Sequence, residues 1–253
     1  MTDTGDATTP HPGEGNFPGR VWRPPDPRNR AHPLSAQVPA DERETPYADL
    51  PASRYWPQLF APYDQGRESS CVGQTWHALL RGHPVPYHRL PATPYQMYRH
   101  FQTLDVWDGD EETPPRYQGT STLAGAKWCH QAGYISGYAW GDLSVEATTW
   151  DALLVCLRHL AFVGPLAIGV DWHRGMWETD PQGYVHALGP VDGGHEVKVL
   201  GYSKPRTALR LVNSWGAAWG QNGRCWLSFD DFRLLMDHGG DACAPKETKV
   251  VAP

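Results

Sequence analysis

The sequence lacks several things, and each absence narrows the field. It has no run of lysine or arginine: 22 basic residues stand against 28 acidic ones, for a net charge of −6. A basic stripe able to track phosphates is therefore missing, and nucleic acid is not an expected partner. No segment approaches 18 consecutive apolar residues, and the first residues, Met1 to Asp6, show neither the basic nor the apolar region of a secretory signal. No membrane partner and no export address are expected. Cysteine is sparse and odd in number, with Cys71, Cys129, Cys156, Cys225 and Cys243 spread over 253 residues. That count argues against a full disulfide framework and favours a reducing location, cytoplasmic or virion-associated. No internal repeat is present.

What is present is a globular composition, 40% hydrophobic with 12 Trp and 11 Tyr, interrupted by 26 Gly and 24 Pro. The prolines cluster early. Residues 1 to 45 carry little apolar periodicity and read as an extended, Pro-rich arm; residues 46 to 253 read as the folded domain. Within the domain the stretch from about 62 to 160 is mainly helical. A first helix starts at Ser69-Ser70 with Val72, Trp76, Leu79 and Leu80 on one face, a second runs from about Tyr95 to Leu104, a third from Thr120-Ser121-Thr122 to about Gln131, and a fourth from Val145 to Leu160. A polar, acidic loop from Asp105 to Gln118 reads as solvated. From about 161 to 253 the pattern turns to short apolar runs, Leu166–Val170, Glu196–Tyr202, Leu209–Asn213 and Cys225–Phe229, separated by glycines. Helices followed by strands predict an α+β fold with a cleft where the two halves meet.

Chemistry concentrates in three places. Tyr63-Asp64-Gln65-Gly66-Arg67-Glu68-Ser69-Ser70-Cys71 delivers a cysteine to a helix N-terminus, where unpaired amides and the helix dipole favour thiolate. Gly193-Gly194-His195-Glu196-Val197 opens a strand with a histidine after a Gly-Gly turn, and Asn213-Ser214-Trp215-Gly216 follows another strand. Glu196 and Lys198 alternate with Val197 and Val199, which predicts a strand with one wet face. Cys129-His130 and Cys156-x-x-His159 offer four metal-ligand types, but adjacent residues on a helix point apart, so no metal is expected and nothing asks for a cofactor. The scattered tryptophans, Trp172 and Trp177 among them, are expected to fill a core or line a cleft.

These segments together resemble the papain-like (C1-type) cysteine peptidases. Gln65 lies six residues before Cys71, His195 and Asn213 follow roughly 120 and 140 residues downstream, and the asparagine opens Asn-Ser-Trp-Gly with Trp219-Gly220-Gln221-Asn222-Gly223 behind it. The resemblance covers about residues 46 to 235. It implies a papain-like fold, with a helical lobe and a β-rich, barrel-like lobe flanking an active-site cleft, and a thiol-dependent peptidase acting on protein or peptide. Cys71 would be the nucleophile, His195 the acid and base, and Asn213 the residue that orients the ring. Gln65 and the Cys71 amide would form the oxyanion hole, and Trp215 would shield the His–Asn bond. The chain departs from the family at Glu68, where a disulfide cysteine is usual, and at Val72, where an aromatic is usual. Gln118-Gly119-Thr120-Ser121 stands where a Cys-x-Gly-Gly segment lines the cleft in eukaryotic members. The lead-in Arg23-Pro24-Pro25-Asp26-Pro27-Arg28 is similar to that of bacterial and bacteriophage members without a long helical propeptide. Such an arm is expected to pack along the domain or cross the cleft, or to hold the protein in a larger assembly. Two rival functions remain open at this point: a Cys–His amidase acting on cell-wall peptide, and a silent papain-like protein with a structural role.

Overall fold

A computed structural model describes residues 18–23, 26–82, 84, 86, 90–105 and 119–246. Most of the acidic loop lies outside the described residues; its first residue, Asp105, is buried and accepts hydrogen bonds from the Ser121 amide (2.9 Å), the Ser121 hydroxyl (2.8 Å) and the Thr120 hydroxyl (3.1 Å).

The helices begin where a capping side chain satisfies their first amides, except the first, whose preceding Ser70 makes no side-chain cap bond. Helix α1 (Cys71–Leu80) follows Ser70, and all ten of its residues are buried. Helix α2 (Pro94–Leu104) has a reciprocal Thr93/Gln96 capping box and a proline in its first turn. Ser121 caps α3 (Thr122–Gln131), accepting from the Ala124 amide. Helix α4 (Thr149–Phe162) starts four residues later than the apolar pattern predicts. Thr148 is its cap, accepting from the Asp151 amide, while Val145 and Glu146 turn back onto the Asp142 carbonyl. A fifth helix, α5 (Phe229–Asp237), capped by Ser228, was not expected from the sequence.

The strands are β1 (Ser53–Tyr55), β2 (Gly137–Trp140), β3 (Leu166–His173), β4 (Tyr184–Val185), β5 (Val191–Ser203), β6 (Ala208–Val212), β7 (Arg224–Ser228) and β8 (Asp241–Lys246). They join in the order β2-β8-β3-β5-β6-β7-β4, with β1 also on β5; among these described strands only the β4–β7 pair is parallel. The long β5 is the spine. It pairs with β3 from Val191 onward, so Gly193 and Gly194 are strand residues opposite Trp172 and Asp171 and not the turn that two glycines suggest.

Two buried clusters lie on either side of a seam. One gathers Val72, Trp76, Met97, Phe101, Leu123 and Cys129 from α1, α2 and α3; the other gathers the inner faces of β3, β5, β6 and β7 with α4 and α5. At the seam α1 packs directly on β5, and this overturns the expected wet face. Glu196 and Lys198 are both fully buried beneath α1. The Thr75 hydroxyl donates to the Glu196 carbonyl (3.1 Å), and Lys198 Nζ donates to the Ala78 carbonyl (2.9 Å) near the negative end of the same helix. Burial brings the Lys198 ammonium down to about 7.

The described part of the arm, residues 18–23 and 26–45, packs on the domain. Two 3-10 helices (Pro27–Ala31 and Leu34–Gln37) lay it along the domain, Leu34 enters the second cluster, and the Trp140 amide donates to the His32 carbonyl. All five cysteines are unpaired and buried, so Cys225 and Cys243 do not bridge. Among the described residues there is no helix long and apolar enough to cross a membrane and no cluster of three metal-binding side chains.

His159, buried in α4, is pushed down to about 4 by desolvation. A histidine with a depressed folded pKa adds stability that is complete above about 6.5 and is lost as pH falls toward 4. Urea unfolding is therefore expected to show a loss of about 2–3 kcal/mol between pH 7 and pH 4.5 from this residue alone. In His159→Leu that slope flattens; an unchanged slope contradicts the assignment.

Candidate active site

The three expected catalytic residues come from three elements locked together at the seam. Cys71 opens α1, His195 lies in β5, and Asn213 follows β6. His195 Nε2 and Asn213 Oδ1 are 2.8 Å apart, and the same Oδ1 accepts from the Ser214 amide at 2.7 Å. Since a carboxamide oxygen only accepts, the imidazole proton sits on Nε2 and the lone pair on Nδ1. Nδ1 is buried and makes no hydrogen bond, so the basic nitrogen is unspent.

Aromatic rings hold this imidazole. Trp215 stacks on it with centroids 4.8 Å apart and planes 28° apart, Trp172 meets it edge-on at 4.8 Å, and Trp177 stacks behind Trp215. Trp215 was expected here; Trp172 and Trp177 were read only as core or cleft residues, because scattered tryptophans carry no positional signal. Gln65 also reaches the site. Its Oε1 accepts from Ser214 Oγ (2.6 Å), its backbone amide donates to the Ser214 carbonyl (2.8 Å), and its side-chain amide donates to the Glu68 carbonyl (2.7 Å). These bonds tie the approach to Cys71 to the loop bearing Asn213.

The segment Pro18–Val21 runs through the cleft over these residues. Arg20 donates its amide to the carbonyl of Gly194, the residue before His195 (2.7 Å). The Val21 amide donates to Thr120 (2.9 Å), whose own amide donates back to Gly19 (2.8 Å). Thr120 belongs to the stretch expected to line the cleft, and its backbone pairs with the arm. Glycines permit the approach: a Cβ on Gly19 would lie 2.1 Å from the Ser69 carbonyl oxygen, and one on Gly194 would lie 2.1 Å from that of Arg20.

Coverage sets the electrostatics. Burial, reinforced by the Glu196 carboxylate, pushes the Cys71 thiol up to about 12, against the opposing pull of the Glu196, Gly19 and Val72 amides. Burial pushes His195 down to about 4, although its bond to Asn213 favours the cation. Both groups are neutral in this state, which differs from the expected thiolate. The helix N-terminus remains in place, but without water the desolvation of a charged sulfur outweighs it.

Beside the nucleophile lies a second constellation. The buried Arg20 side chain donates to Asp241 through Nε (3.1 Å) and Nη2 (2.6 Å), and through Nη2 to the Gly239 carbonyl (3.0 Å). The Thr122 hydroxyl is 2.7 Å from Glu196 Oε2 and 3.1 Å from Asp241 Oδ2. Burial raises Glu196 well above the ordinary carboxylate range. In the sequence Glu196 is only a neighbour of His195, and nothing there brings Arg20, Thr122 and Asp241 to it.

Comparison with known proteins bears on the fold and on stretches of the sequence. No family model matches the chain. Among curated proteins it is 37% identical over 62 residues to cathepsin B-like cysteine proteinase 5 of Caenorhabditis elegans, covering 24% of this chain and 18% of that protein. It is 30% identical over 70 residues to cathepsin B-like CP2 of Giardia intestinalis, covering 26% and 23%. The chain thus aligns with about a fifth of the length of these relatives. Among solved structures, xylellain, a cysteine protease from Xylella fastidiosa, superposes with a TM-score of 0.66 at 16% identity, covering 93% of this chain and 97% of that one. Procathepsin B S9 of Trypanosoma congolense gives 0.63 at 13% identity, covering 92% and 87%. The fold is therefore the α+β fold of the papain-like cysteine peptidases, and over about a quarter of its length the chain is similar in sequence to cathepsin B-like proteinases.

Proposed function

We propose that this chain is a thiol-dependent peptidase, held latent by its own N-terminal arm. The observation that carries the reading is the His195–Asn213 bond, which leaves Nδ1 as an unpaired base at a seam shared with Cys71. Once the arm leaves and water enters, the desolvation penalty on both groups falls, and a proton passes from Cys71 Sγ to His195 Nδ1. The thiolate attacks the peptide carbonyl carbon, and the oxygen takes the charge. The Gln65 side-chain amide and the Cys71 backbone N–H stabilise that oxyanion by about 2.7–4 kcal/mol per donor in sites of this kind. His195 then gives its proton to the departing amine as the C–N bond breaks. Water, deprotonated by the same nitrogen, hydrolyses the thioester and restores the thiol. Asn213 keeps the ring in the tautomer this requires, and Trp215 and Trp172 keep water from the His–Asn bond.

Covalent trapping tests the reading. A solved cysteine protease of Carica candamarcensis that shares this fold is described in complex with E-64. Incubated with E-64, the full-length chain carrying Arg20→Ala is expected to gain one adduct, mapped by mass spectrometry to Cys71 and absent in the additional His195→Ala variant. Hydrolysis of a denatured protein substrate should stop when the adduct forms. No adduct and no hydrolysis would favour the silent, structural reading; an adduct with cleavage of purified cell wall alone would favour the amidase.

A further inference from the structure

We infer that the outer face of β1, β5, β6, β7 and β4 is a docking surface for a short acidic segment of a polypeptide, which Arg206, Arg210 and Arg224 hold around Trp226. The binding is independent of the peptidase reading of Cys71 and His195; that the docked polypeptide is a substrate rests on that reading.

The face follows from strand register. Leu209 and Leu211 of β6, Cys225 and Leu227 of β7 and Val185 of β4 all enter the second cluster, so the residues alternating with them lie on the other side of the sheet. One row of paired residues crosses five strands there: Tyr55, Gly201, Arg210, Trp226 and Tyr184. Gly201 carries no side chain, and Tyr55 meets Trp226 edge-on with centroids 6.1 Å apart, while Tyr184 lies 6.4 Å away on the other side. Two guanidinium groups share this indole: Arg206 Cζ is 4.9 Å and Arg210 Cζ 4.7 Å from the ring centroid. The Tyr184 hydroxyl donates to the Arg206 carbonyl (3.1 Å), which fixes the turn that carries it, and Arg210 Nη1 donates to Gln221 Oε1 (2.8 Å). Arg224 stands two residues before Trp226 on the same face.

The charge of this face selects its occupant. Among the described residues none of the three arginines pairs with a carboxylate. Partial burial, with the like charges of Arg224 and Arg206, brings the Arg210 guanidinium below its ordinary range. Gathering three cations without a counter-charge is unfavourable in the free protein, and carboxylates laid across them reverse the sign. The rest of the chain is acidic, since its net charge is −6 with these arginines included. The positive field is also bounded. Asp180 accepts from the Tyr184 amide (2.8 Å) and lies 3.0 Å from His186 Nε2, and Asp231 lies 4.0 Å from His186 Nδ1. These carboxylates close the field at β4, so a long polyanion is repelled where a short run of Asp or Glu fits. Planar forks pair with carboxylates in bidentate fashion, and stacking on Trp226 has already restricted two of them, which lowers the entropic cost of binding.

Calorimetry at low ionic strength tests the surface on the full-length chain. The probes are an N-acetylated, C-amidated Gly-Asp-Glu-Asp-Glu-Gly peptide, its Asn/Gln analogue and a single-stranded oligonucleotide of equal charge. The acidic peptide is expected to bind about tenfold or more tightly than the neutral one, and Arg206→Gln/Arg210→Gln to remove that difference. Arg206→Lys/Arg210→Lys keeps the charge but loses the fork, and should retain only part of it. Arg206 is exposed in its turn, so Arg206→Gln alone should weaken binding about threefold with thermal unfolding unchanged, and it carries the test should the double variant not fold. In full-length Arg20→Ala, joining the acidic segment to a quenched peptide should lower KM about tenfold with kcat unchanged, and the added loss of Arg206 and Arg210 should restore KM. Equal binding of the acidic and neutral peptides, or a preference that survives the loss of both arginines, overturns the surface. Tighter binding of the oligonucleotide than of the acidic peptide overturns a polypeptide as its occupant. Arginine-dependent binding of the acidic peptide with no cleavage of any peptide supports the surface while overturning the peptidase reading, so the two failures are distinguishable.

Discussion

Replacing Gly19 by alanine is expected to raise hydrolysis of a denatured protein substrate by the full-length chain by about a hundredfold or more. The new methyl would meet the Ser69 carbonyl oxygen at 2.1 Å, and the obstacle is backbone at the start of α1 that cannot turn aside. Seating the arm then requires moving the helix that carries Cys71 or lifting the arm. Arg20→Ala reaches the same end differently. It leaves Asp241 and Glu196 beneath the closed arm without a cation, and because Asp241 is partly exposed the loss of this part-buried pair costs less than the about 3–5 kcal/mol of a fully buried one. In the open form those carboxylates regain water, so the cost falls on the closed state alone and shifts the balance toward the open one. Initial rates at matched protein concentration check both variants. Rates equal to the unsubstituted chain, with the fold intact, contradict the latency.

The second large effect concerns the dyad. In the opened Gly19→Ala background, Cys71→Ala and His195→Ala are each expected to lower kcat by about 10⁴-fold or more, and the double substitution by little beyond either single one, because the two act as a unit. Asn213→Ala should cost less, since the imidazole remains, but it frees Nε2 and lets the ring take the unproductive tautomer. Its loss should appear in kcat more than in KM. Additive losses from Cys71 and His195 would indicate that the two residues do not share a proton.

How much of this was written in the sequence depends on whether side-chain identity or tertiary pairing carries the information. Cys71, His195, Asn213, Gln65 and Trp215 were legible through the family resemblance of the segments that hold them, and the fold brings His195 onto Asn213, Gln65 onto Ser214 and Trp215 onto the ring. Helices α2 and α3 were legible close to their observed bounds, α5 was missed although Ser228 caps it, and α4 begins late because Thr148 satisfies its first amides. The path of the arm was not legible in detail. It is held by the backbone of Gly19, Arg20, Gly194 and Thr120, which leaves no pattern in side chains. Glu196 and Lys198 misled because alternation reports which face a residue shares and not whether water reaches that face; α1 covers it. The Gly193-Gly194 pair reads as a turn from composition, whereas its use is a flat stretch of β5 on which Pro18 and Arg20 can lie. The contacts among Arg20, Thr122, Glu196 and Asp241 draw on the arm, α3, β5 and β8, a convergence that only the folded chain displays.

The central claim, a cysteine–histidine pair that is neutral while covered and becomes an ion pair when uncovered, is tested most directly by the pH dependence of Cys71 alkylation. Iodoacetamide is applied to the reduced, folded chain from pH 4 to pH 9, with the site read by mass spectrometry, in the unsubstituted protein, in Gly19→Ala and in Gly19→Ala/His195→Ala. The account predicts slow labelling across the whole range in the unsubstituted chain, consistent with a thiol pushed up to about 12. It predicts fast labelling well below the ordinary thiol range of about 8.5 in Gly19→Ala, and a return to ordinary thiol behaviour when His195 is removed. Labelling of Cys71 that is the same in all three proteins would contradict both the pair and its cover.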